Sequence, residues 1–430
     1  MDTECFHLHI DSMAYGGKGV GRRGDGKVVF IPEVIPGETV AAYVVKEHTS
    51  YVEADVKELF EASQFRVTAP CPYFTICGGC DWQHIMYPEQ IAIKQEILKS
   101  QIQVKNPRAE LCFEEPVISS REYGYRCHAV MQCTNEHGFE VGFFRKQSNA
   151  VVPIKRCLIL NERCQTVLDQ MSEILRTHPI SDLCSLEIHA PQDEVLVQVI
   201  MKGRPLKSDV DILRCVYQDV ALSGLSYFPK NGQGSRRIFG QRFCSYEIAV
   251  YNRKFSLASS FGGFIQANIE VNQDLVAYVL DCAKGSHRLL DLYSGSGNFG
   301  IPLSSHADEV LAVEQDPDLV KAGAAIVRKN GCRNIRFLNE EAAITLRWLE
   351  QEGVTFDVVV LDPPREGAWD VVQVLSKMKI GRIVYISCNP STLARDIAVL
   401  IQEGFRLKSI RFFDMFPQTY HIESVSVLER

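Results

Sequence analysis

Residues 289–300 read Leu-Leu-Asp-Leu-Tyr-Ser-Gly-Ser-Gly-Asn-Phe-Gly, an apolar strand that runs into a glycine-rich turn and then a helix. Gly295 and Gly297 let the backbone turn tightly and approach a ligand with no Cβ in the way. An acid, Glu314, closes the next apolar run, where a carboxylate can receive ribose hydroxyls. The pattern predicts a nucleoside site, with Asp291 orienting the polar end of the ligand. The turn is not a Gly-x-x-x-x-Gly-Lys phosphate loop, so a nucleoside triphosphate is not favoured.

Strand-like and helical runs alternate around this turn, from about residue 264 to the end of the chain. The predicted strands are 288–293, 310–314, 335–338, 358–361, 382–386, 407–413 and 424–428. Alternation at this spacing indicates βαβ units around a parallel sheet. No helical pattern separates the last two strands, so we expect an antiparallel edge.

Two further motifs follow predicted strands of this sheet. Asp362-Pro-Pro-Arg-Glu-Gly367 contains consecutive prolines, which cannot donate to a ladder and would hold Asp362 rigidly at the carboxyl edge. A plain strand-ending turn is the alternative interpretation. Cys388, in Ser-Cys-Asn-Pro, would face the crevice where open α/β sheets place their chemistry. Taken alone, it is more often a buried core cysteine.

Together the three motifs resemble the S-adenosylmethionine-dependent RNA uridine-5-methyltransferases. Residues 414–425, Asp-Met-Phe-Pro-Gln-Thr-Tyr-His-Ile-Glu-Ser-Val, are similar to the closing signature of that family. The resemblance covers nearly the whole chain and is greatest to the members that modify large-subunit ribosomal RNA. It implies an α/β fold: a Rossmann-like methyltransferase sheet, an N-terminal small β-barrel of the TRAM or oligonucleotide-binding type, and an α+β central domain.

The resemblance also implies roles for individual residues. Cys388 matches the nucleophile that adds to carbon 6 of uracil, which makes carbon 5 reactive towards a methyl sulfonium. Glu423 matches the base that removes the hydrogen from carbon 5, and His421 is the second choice. Phe264 could stack on the target base, which should be flipped out of a loop. The positions that match contacts to S-adenosyl-L-methionine are Gln266, Tyr293, Asn298, Glu314, Glu341 and Asp362.

We expect three domains. Residues 1–60 alternate in short runs between glycine-rich turns, which is typical of a small β-barrel. Residues 61–263 mix strand-like and helical runs and would form a central RNA-binding domain that carries a cysteine-rich knot. Residues 264–430 would form the methyltransferase domain.

The knot places Cys71, Cys77 and Cys80 within ten residues, with two glycines that allow the chain to wrap around a metal centre. Four thiolates suit a [4Fe–4S] cluster or zinc alike, and the spacing does not choose between them. The resemblance supplies Cys157 as the fourth ligand and favours the [4Fe–4S] cluster.

Composition and charge limit the classes of partner that the chain can be expected to bind. The net charge of the 430 residues is −7, which does not indicate nucleic-acid binding, yet residues 201–254 carry ten Lys or Arg against four acids. That basic region could contact phosphates or could be an ordinary solvated face. No apolar run is long enough to span a membrane. Because no signal peptide is apparent, the fifteen cysteines indicate a reducing cytoplasm rather than disulfides.

The leading hypothesis is a cytoplasmic, monomeric enzyme that forms 5-methyluridine in 23S ribosomal RNA. The same chemistry on the T-loop of transfer RNA is the first alternative. An N-methyltransferase that uses Asp-Pro-Pro as its catalytic loop is another. A catalytically silent RNA-binding protein that keeps the cofactor fold is the third.

Overall fold

The computed structural model describes residues 5–108, 110–135, 138–230, 232 and 234–430. These residues form two compact units. The first contains the described chain up to Gln101, with Phe144–Ala150 and Phe416–His421, and the second contains the remainder. The division into three domains stays a prediction. Across the described ranges, no helix has both the length and the apolar character needed to cross a bilayer.

The first unit is built on a curled sheet of six strands in the order β1-β5-β6-β4-β3-β2. Its strands are β1 Cys5–His9, β2 Ser12–Met13, β3 Gly19–Arg22, β4 Val28–Ile31, β5 Thr39–Glu47 and β6 Tyr51–Glu61. Shifts of register between β5 and β6 bend the longest pair, and apolar side chains such as Leu8, Ile31 and Val40 fill the inner face. The sheet confirms the predicted barrel-like fold, as a half-barrel. Helix α1, Tyr87–Lys105, follows it in the chain.

The second unit begins with a mixed sheet, in the order β13-β12-β11-β10-β7-β8-β9. Its strands are β7 His128–Thr134, β8 Glu140–Phe144, β9 Val151–Pro153, β10 Leu183–His189, β11 Leu196–Met201, β12 Gly224–Pro229 and β13 Arg236–Gly240. Helices α2 Glu162–Thr177 and α3 Lys207–Asp219 bury apolar faces in the same core. A separate hairpin, β14 Phe243–Val250 and β15 Arg253–Ser260, follows. This arrangement confirms the predicted α+β character.

The last sheet has seven strands in the order β18-β17-β16-β19-β20-β22-β21. The strands are β16 Arg288–Leu292, β17 Glu309–Glu314, β18 Ile335–Asn339, β19 Phe356–Leu361, β20 Ile380–Ser387, β21 Arg406–Phe413 and β22 Glu423–Glu429. The helices between or before them are α4 Ile269–Cys282, α5 Gly300–Leu303, α6 Pro317–Lys329, α7 Ala342–Gln351, α8 Trp369–Leu375 and α9 Pro390–Gln402. Strands β16 to β20 are parallel, which confirms the Rossmann-like prediction.

Strand order decides where a site can form. The chain moves outwards from β16 through β17 to β18 and then returns to place β19 on the other side of β16. The carboxyl ends of β16 and β19 therefore flank a crevice at the point where the order reverses. The last two strands form the expected antiparallel edge, because β22 pairs antiparallel with both β20 and β21. Strand β21 is outermost, and Phe113 and Val117 pair with it.

Candidate functional site

The glycine-rich turn after β16 is held in an unusual backbone conformation. Tyr293, Gly295 and Gly297 all have positive φ angles, of 59°, 55° and 97°. A Cβ at Gly297 would lie 2.8 Å from Ile301 and 2.9 Å from Phe337. Only glycine therefore fits position 297, as the sequence predicts for a turn that closes on its own helix.

Glu314 fastens this turn to the neighbouring strand. Its Oε2 accepts a 3.0 Å hydrogen bond from the Gly295 amide, and its Oε1 accepts a 2.8 Å bond from the Asp316 amide. The carboxylate that the sequence assigns to a ligand is thus already fixed in direction by two backbone donors. Such fixing is what a preorganised binding site requires.

Asp291, near the end of β16, and Gln266, shortly before α4, both carry buried acceptor atoms. Neither carboxylate oxygen of Asp291, nor Oε1 of Gln266, has a hydrogen-bond partner among the described residues. Both side chains are buried, and burial raises the pKa of Asp291 to about 8, with Asp362 and Glu314 adding to the effect. Buried polar atoms are normally paired, so these acceptors fit a ligand that brings donors. The ammonium group and ribose hydroxyls of S-adenosylmethionine are such donors.

Two further acids meet at the carboxyl ends of β19 and β20. Burial raises the pKa of Asp362 to about 7. Burial and the charge of Asp362 raise the pKa of Glu423 well above its usual range. Glu423 is buried and its Oε1 has no partner among the described residues. Two carboxyl groups this close resist double ionisation, so the pair holds a proton near neutral pH.

Cys388 lies beside this acid pair. Strand β20 ends at Ser387, and Ser387 faces Ser424 on the antiparallel strand β22. Cys388 is the next residue after Ser387, and Glu423 directly precedes Ser424, so both adjoin this last pair of the two strands. Burial, and then the charges of Glu423 and Asp362, raise the pKa of Cys388 to about 12, while Arg365 lowers it. The resting side chain is therefore a thiol.

Hydrogen bonds connect the loops that carry Asp362 and Cys388. The Arg365 carbonyl accepts from the Asn389 side-chain amide at 3.0 Å and from the Thr392 hydroxyl at 3.2 Å. The Oδ2 atom of Asp396, a fully buried residue, accepts from the Tyr385 hydroxyl at 2.7 Å and from the Ala368 amide at 2.8 Å. Asp396 was not predicted to have a role. Its only indication in the sequence is an acid on the apolar face of the helix that follows Cys388.

Comparison with known proteins identifies the family of the chain. The model of the tRNA (uracil-5-)-methyltransferase family matches residues 86–430. The chain belongs to this family. It is therefore an S-adenosylmethionine-dependent RNA uracil-C5-methyltransferase.

Relatives align over nearly the full length. The 23S rRNA (uracil(1939)-C(5))-methyltransferase RlmD of Pseudomonas fluorescens is 34% identical, across 98% of this chain and 91% of the relative. An uncharacterized RNA methyltransferase of Aquifex aeolicus is 32% identical, across 100% and 99%. The crystal structure of Pyrococcus abyssi tRNA (uracil-54, C5)-methyltransferase with S-adenosyl-L-homocysteine has a TM-score of 0.75 at 23% identity, covers 98% of this chain and 100% of its own, and shows a shared fold.

Tyr293, Glu341 and Asn298 are further predicted contacts to the cofactor, and their environments differ. Burial and the charges of Asp396 and Glu341 raise the pKa of Tyr293 to about 12, so Glu341, although exposed, acts on the turn. Asn298 forms two side-chain hydrogen bonds, of 2.8 and 3.0 Å, with the buried Asn272. This pair was not foreseen, because nothing in the local sequence joins the two positions.

The residues proposed to contact the target base differ in exposure and in the unit to which they belong. Phe264 has 66% of its surface exposed, although Ile265 and Gln266 beside it are buried. An exposed aromatic ring on a buried segment is suited to stacking on a base. His421 belongs to the first unit, whereas Glu423 belongs to the second.

The four cysteines that are predicted to bind a metal are divided between the two units. Cys71, Cys77 and Cys80 belong to the first unit and Cys157 to the second, and all four are half-buried. The Gly79 amide donates to Cys77 Sγ at 3.4 Å. An amide directed at sulfur favours the thiolate form that metal ligands require, so this bond fits a metal ligand at Cys77.

A buried polar cluster in the central sheet was not foreseen. Glu187 Oε1 lies 3.0 Å from Nε2 of both His128 and His189, and the three ligand atoms lie within 4.8 Å of one another. His189 Nδ1 also lies 2.8 Å from the Ser259 hydroxyl. These contacts satisfy the cluster as a hydrogen-bond network, which explains its burial without a metal ion.

Proposed function

We propose that the enzyme methylates carbon 5 of a uridine in 23S ribosomal RNA, with Cys388 as nucleophile and Glu423 as base. The observation that supports the proposal is the register of β20 and β22, whose last pair is Ser387 with Ser424, because Cys388 follows the first of these residues and Glu423 precedes the second. A thiol and a buried carboxyl group at one edge supply both groups that the reaction needs.

Cys388 begins the reaction. Its thiol, which is partly exposed, must release its proton to solvent before the sulfur bonds to carbon 6 of the ring, since thiolate is the reactive form. Arg365 favours that form, against the burial and the two acids that oppose it. The bond to carbon 6 moves electron density to carbon 5, which becomes the nucleophile for the methyl group.

Glu423 completes the reaction. After methylation, carbon 5 still carries its hydrogen, and this proton must leave before the ring double bond can reform and expel Cys388. Glu423 Oε1, which has no hydrogen-bond partner in the described part of the chain, is an available acceptor in the ionised form of the side chain. Because the acid pair with Asp362 holds one proton near neutral pH, deprotonation of Glu423 belongs to the catalytic cycle.

The cofactor site uses the turn after β16. S-adenosylmethionine supplies an electrophilic methyl group on a sulfonium cation. Asp291 and Gln266 would accept from its polar end, and Glu314 is held at the position that receives ribose hydroxyls. The remaining contacts of this site would come from Tyr293, Asn298, Glu341 and Asp362.

Ribosomal RNA is preferred as substrate because a full-length relative with 34% identity bears that activity in its name. The fold shared with a tRNA (uracil-54, C5)-methyltransferase favours the alternative, the T-loop of transfer RNA. Both substrates demand that the uridine leave its stack, with Phe264 positioned to stack on it.

The four cysteines Cys71, Cys77, Cys80 and Cys157 would hold a [4Fe–4S] cluster. The hydrogen bond from the Gly79 amide to Cys77 Sγ supports a metal-bound sulfur at Cys77. Zinc is the alternative metal. The proposed cluster fixes structure and transfers no electrons in this reaction. We also propose a monomer that acts in the cytoplasm, with a TRAM-like domain in residues 1–60, a central RNA-binding domain in 61–263 and the methyltransferase domain in 264–430.

Deletion of the gene in its source organism tests the substrate. Large-subunit RNA and transfer RNA are separated, and 5-methyluridine is measured in each by mass spectrometry. We expect 5-methyluridine to fall in the large-subunit RNA alone and to return when the gene is restored. A fall confined to transfer RNA would make the alternative correct.

A further inference from the structure

A pocket opens in the second unit at the start of the segment that leads to Phe264 and Gln266. Its volume is about 90 Å³, several times the roughly 10–15 Å³ that one water molecule needs. The side chains that matter here are Arg237, Arg242, Ser260, Phe261, Asp318 and Lys321. They come from β13, the turn before β14, the end of β15 and the first turns of α6, so four parts of the unit converge on it.

Positive charge in this pocket exceeds negative charge. Lys321 forms a 2.8 Å ion pair with Asp318, and Arg237 donates to the Gly240 carbonyl at 2.9 Å. Arg242 makes no hydrogen bond or ion pair with any described residue. The ion pair therefore neutralises Lys321, and the hydrogen bond to Gly240 occupies part of the Arg237 guanidinium. The Arg242 guanidinium remains available to a ligand.

Ser260 supplies a second, independent indication of a ligand. Only 5% of its surface is exposed, and its Oγ has no hydrogen-bond partner in the described structure. A buried hydroxyl without a partner is uncommon in folded proteins. An oxyanion would accept from Ser260 and from arginine together, and phosphate is the oxyanion whose geometry matches a guanidinium fork.

We propose that this pocket binds a backbone phosphate of the substrate RNA, next to the flipped uridine. This inference rests on the proposed function, which brings RNA to the same segment. Phe261 in the pocket and the exposed Phe264 are three residues apart, at most about 10 Å along the chain. One RNA strand can therefore occupy both places, and the phosphate contact would fix the register of the uridine over Cys388.

The pocket also gives a function to part of the basic region of residues 201–254. Arg237 and Arg242 line it, whereas Lys254, at the other end of β15, forms a 3.2 Å ion pair with Glu247 and does not. Lys254 is therefore a matched control, since it is a cation on the same hairpin. Within this one region, Arg237 and Arg242 thus line the proposed phosphate site, whereas Lys254 contributes ordinary surface charge.

Filter binding of unmodified 23S ribosomal RNA, transcribed in vitro, tests the proposal over a series of KCl concentrations. The full-length wild-type protein is compared with Arg242→Ala, Arg242→Lys and Lys254→Ala. Loss of one phosphate contact should reduce the slope of log K against log[salt] by about 0.7–0.9 and weaken binding roughly tenfold at about 0.1 M salt. We expect this of Arg242→Ala, a retained slope in Arg242→Lys, and wild-type behaviour in Lys254→Ala.

An unchanged Kd and slope in Arg242→Ala would overturn the proposal, as would an equal loss in Lys254→Ala. Inorganic phosphate bound by the wild type and not by Arg242→Ala, without any change in RNA affinity, would assign the pocket to a free anion instead. Methylation of the same RNA by the wild type is measured in parallel. Its absence would refute the proposed substrate, while the comparison of salt slopes would still decide the pocket.

Discussion

The Tyr385 hydroxyl donates a 2.7 Å hydrogen bond to Asp396, at the end of the sheet where Cys388 lies. The same carboxylate oxygen accepts from the Ala368 amide, which follows the Asp362 loop. One buried acid thus joins strand β20, helix α9 and the loop that supplies Asp362. The two loops that carry the proposed site residues Asp362 and Cys388 are positioned by a residue that is not itself proposed to react.

The first prediction concerns this junction. Asp396→Asn leaves buried donors without a strong acceptor and should lower the free energy of unfolding by about 1–3 kcal/mol. It should also lower kcat more than it changes the affinity for S-adenosylmethionine. Tyr385→Phe removes only one donor and should have the smaller effect on both quantities. Equal effects of the two substitutions in denaturant unfolding and in steady-state kinetics would contradict the account.

The second prediction concerns Asp291 and pH. Its pKa rises from 3.8 to about 8 in the folded protein, so its protonated form stabilises the fold at low pH. That contribution is complete below the unfolded-state pKa of 3.8 and is lost progressively as the pH rises from there to about 8. In the cofactor-free protein, Asp291→Asn should therefore show a smaller fall in Tm over this range than the wild type. The measurement is differential scanning fluorimetry, and an identical pH profile would exclude the buried acid as a source of the dependence.

The third prediction concerns the reactivity of Cys388. Because its pKa is raised to about 12, alkylation by iodoacetamide in the RNA-free protein should accelerate about tenfold per pH unit through the mildly alkaline range. Glu423→Gln removes a charge that raises this pKa and should speed alkylation at a given alkaline pH. Peptide mass spectrometry locates the label at Cys388. Glu352→Gln, at an exposed acid, is the control and should react as the wild type does.

The fourth prediction concerns the metal. Anaerobically purified protein should contain iron and acid-labile sulfide, and Cys77→Ser should lose most of both. Cys215→Ser, at an exposed cysteine on α3, should keep them. Elemental analysis that finds zinc without sulfide would assign the four thiolates to zinc instead.

Much of the fold follows from local sequence. Apolar runs of strand length, each ended by Gly, Pro or Asn, predict β16, β19 and β20, and the glycine-rich turn is a local requirement of backbone conformation. Cys388 could be located because a strand end is visible in the sequence. The position of Cys388 and the glycine-rich turn are therefore predictable without a structure, whereas the role of Cys388 as nucleophile comes from the family resemblance and stays a prediction.

The remaining features depend on contacts between distant parts of the chain. Strand β22 lies inside the sheet because it pairs with β20, which precedes it by a helix and a strand. The Asn298–Asn272 pair and the partners of Asp396 likewise arise only when separate elements pack together. The sequence shows which residue types are present at these positions but not which atoms they will meet.

The most direct test of the central claim uses Glu423→Gln with unmodified 23S ribosomal RNA and S-adenosylmethionine. If Glu423 removes the carbon 5 proton, this variant should stall with Cys388 bonded to the methylated uridine. Denaturing gels should show a protein–RNA adduct that is absent from the double variant Cys388→Ala with Glu423→Gln. Wild-type turnover by Glu423→Gln without an adduct, or an adduct that persists in the double variant, would contradict the account.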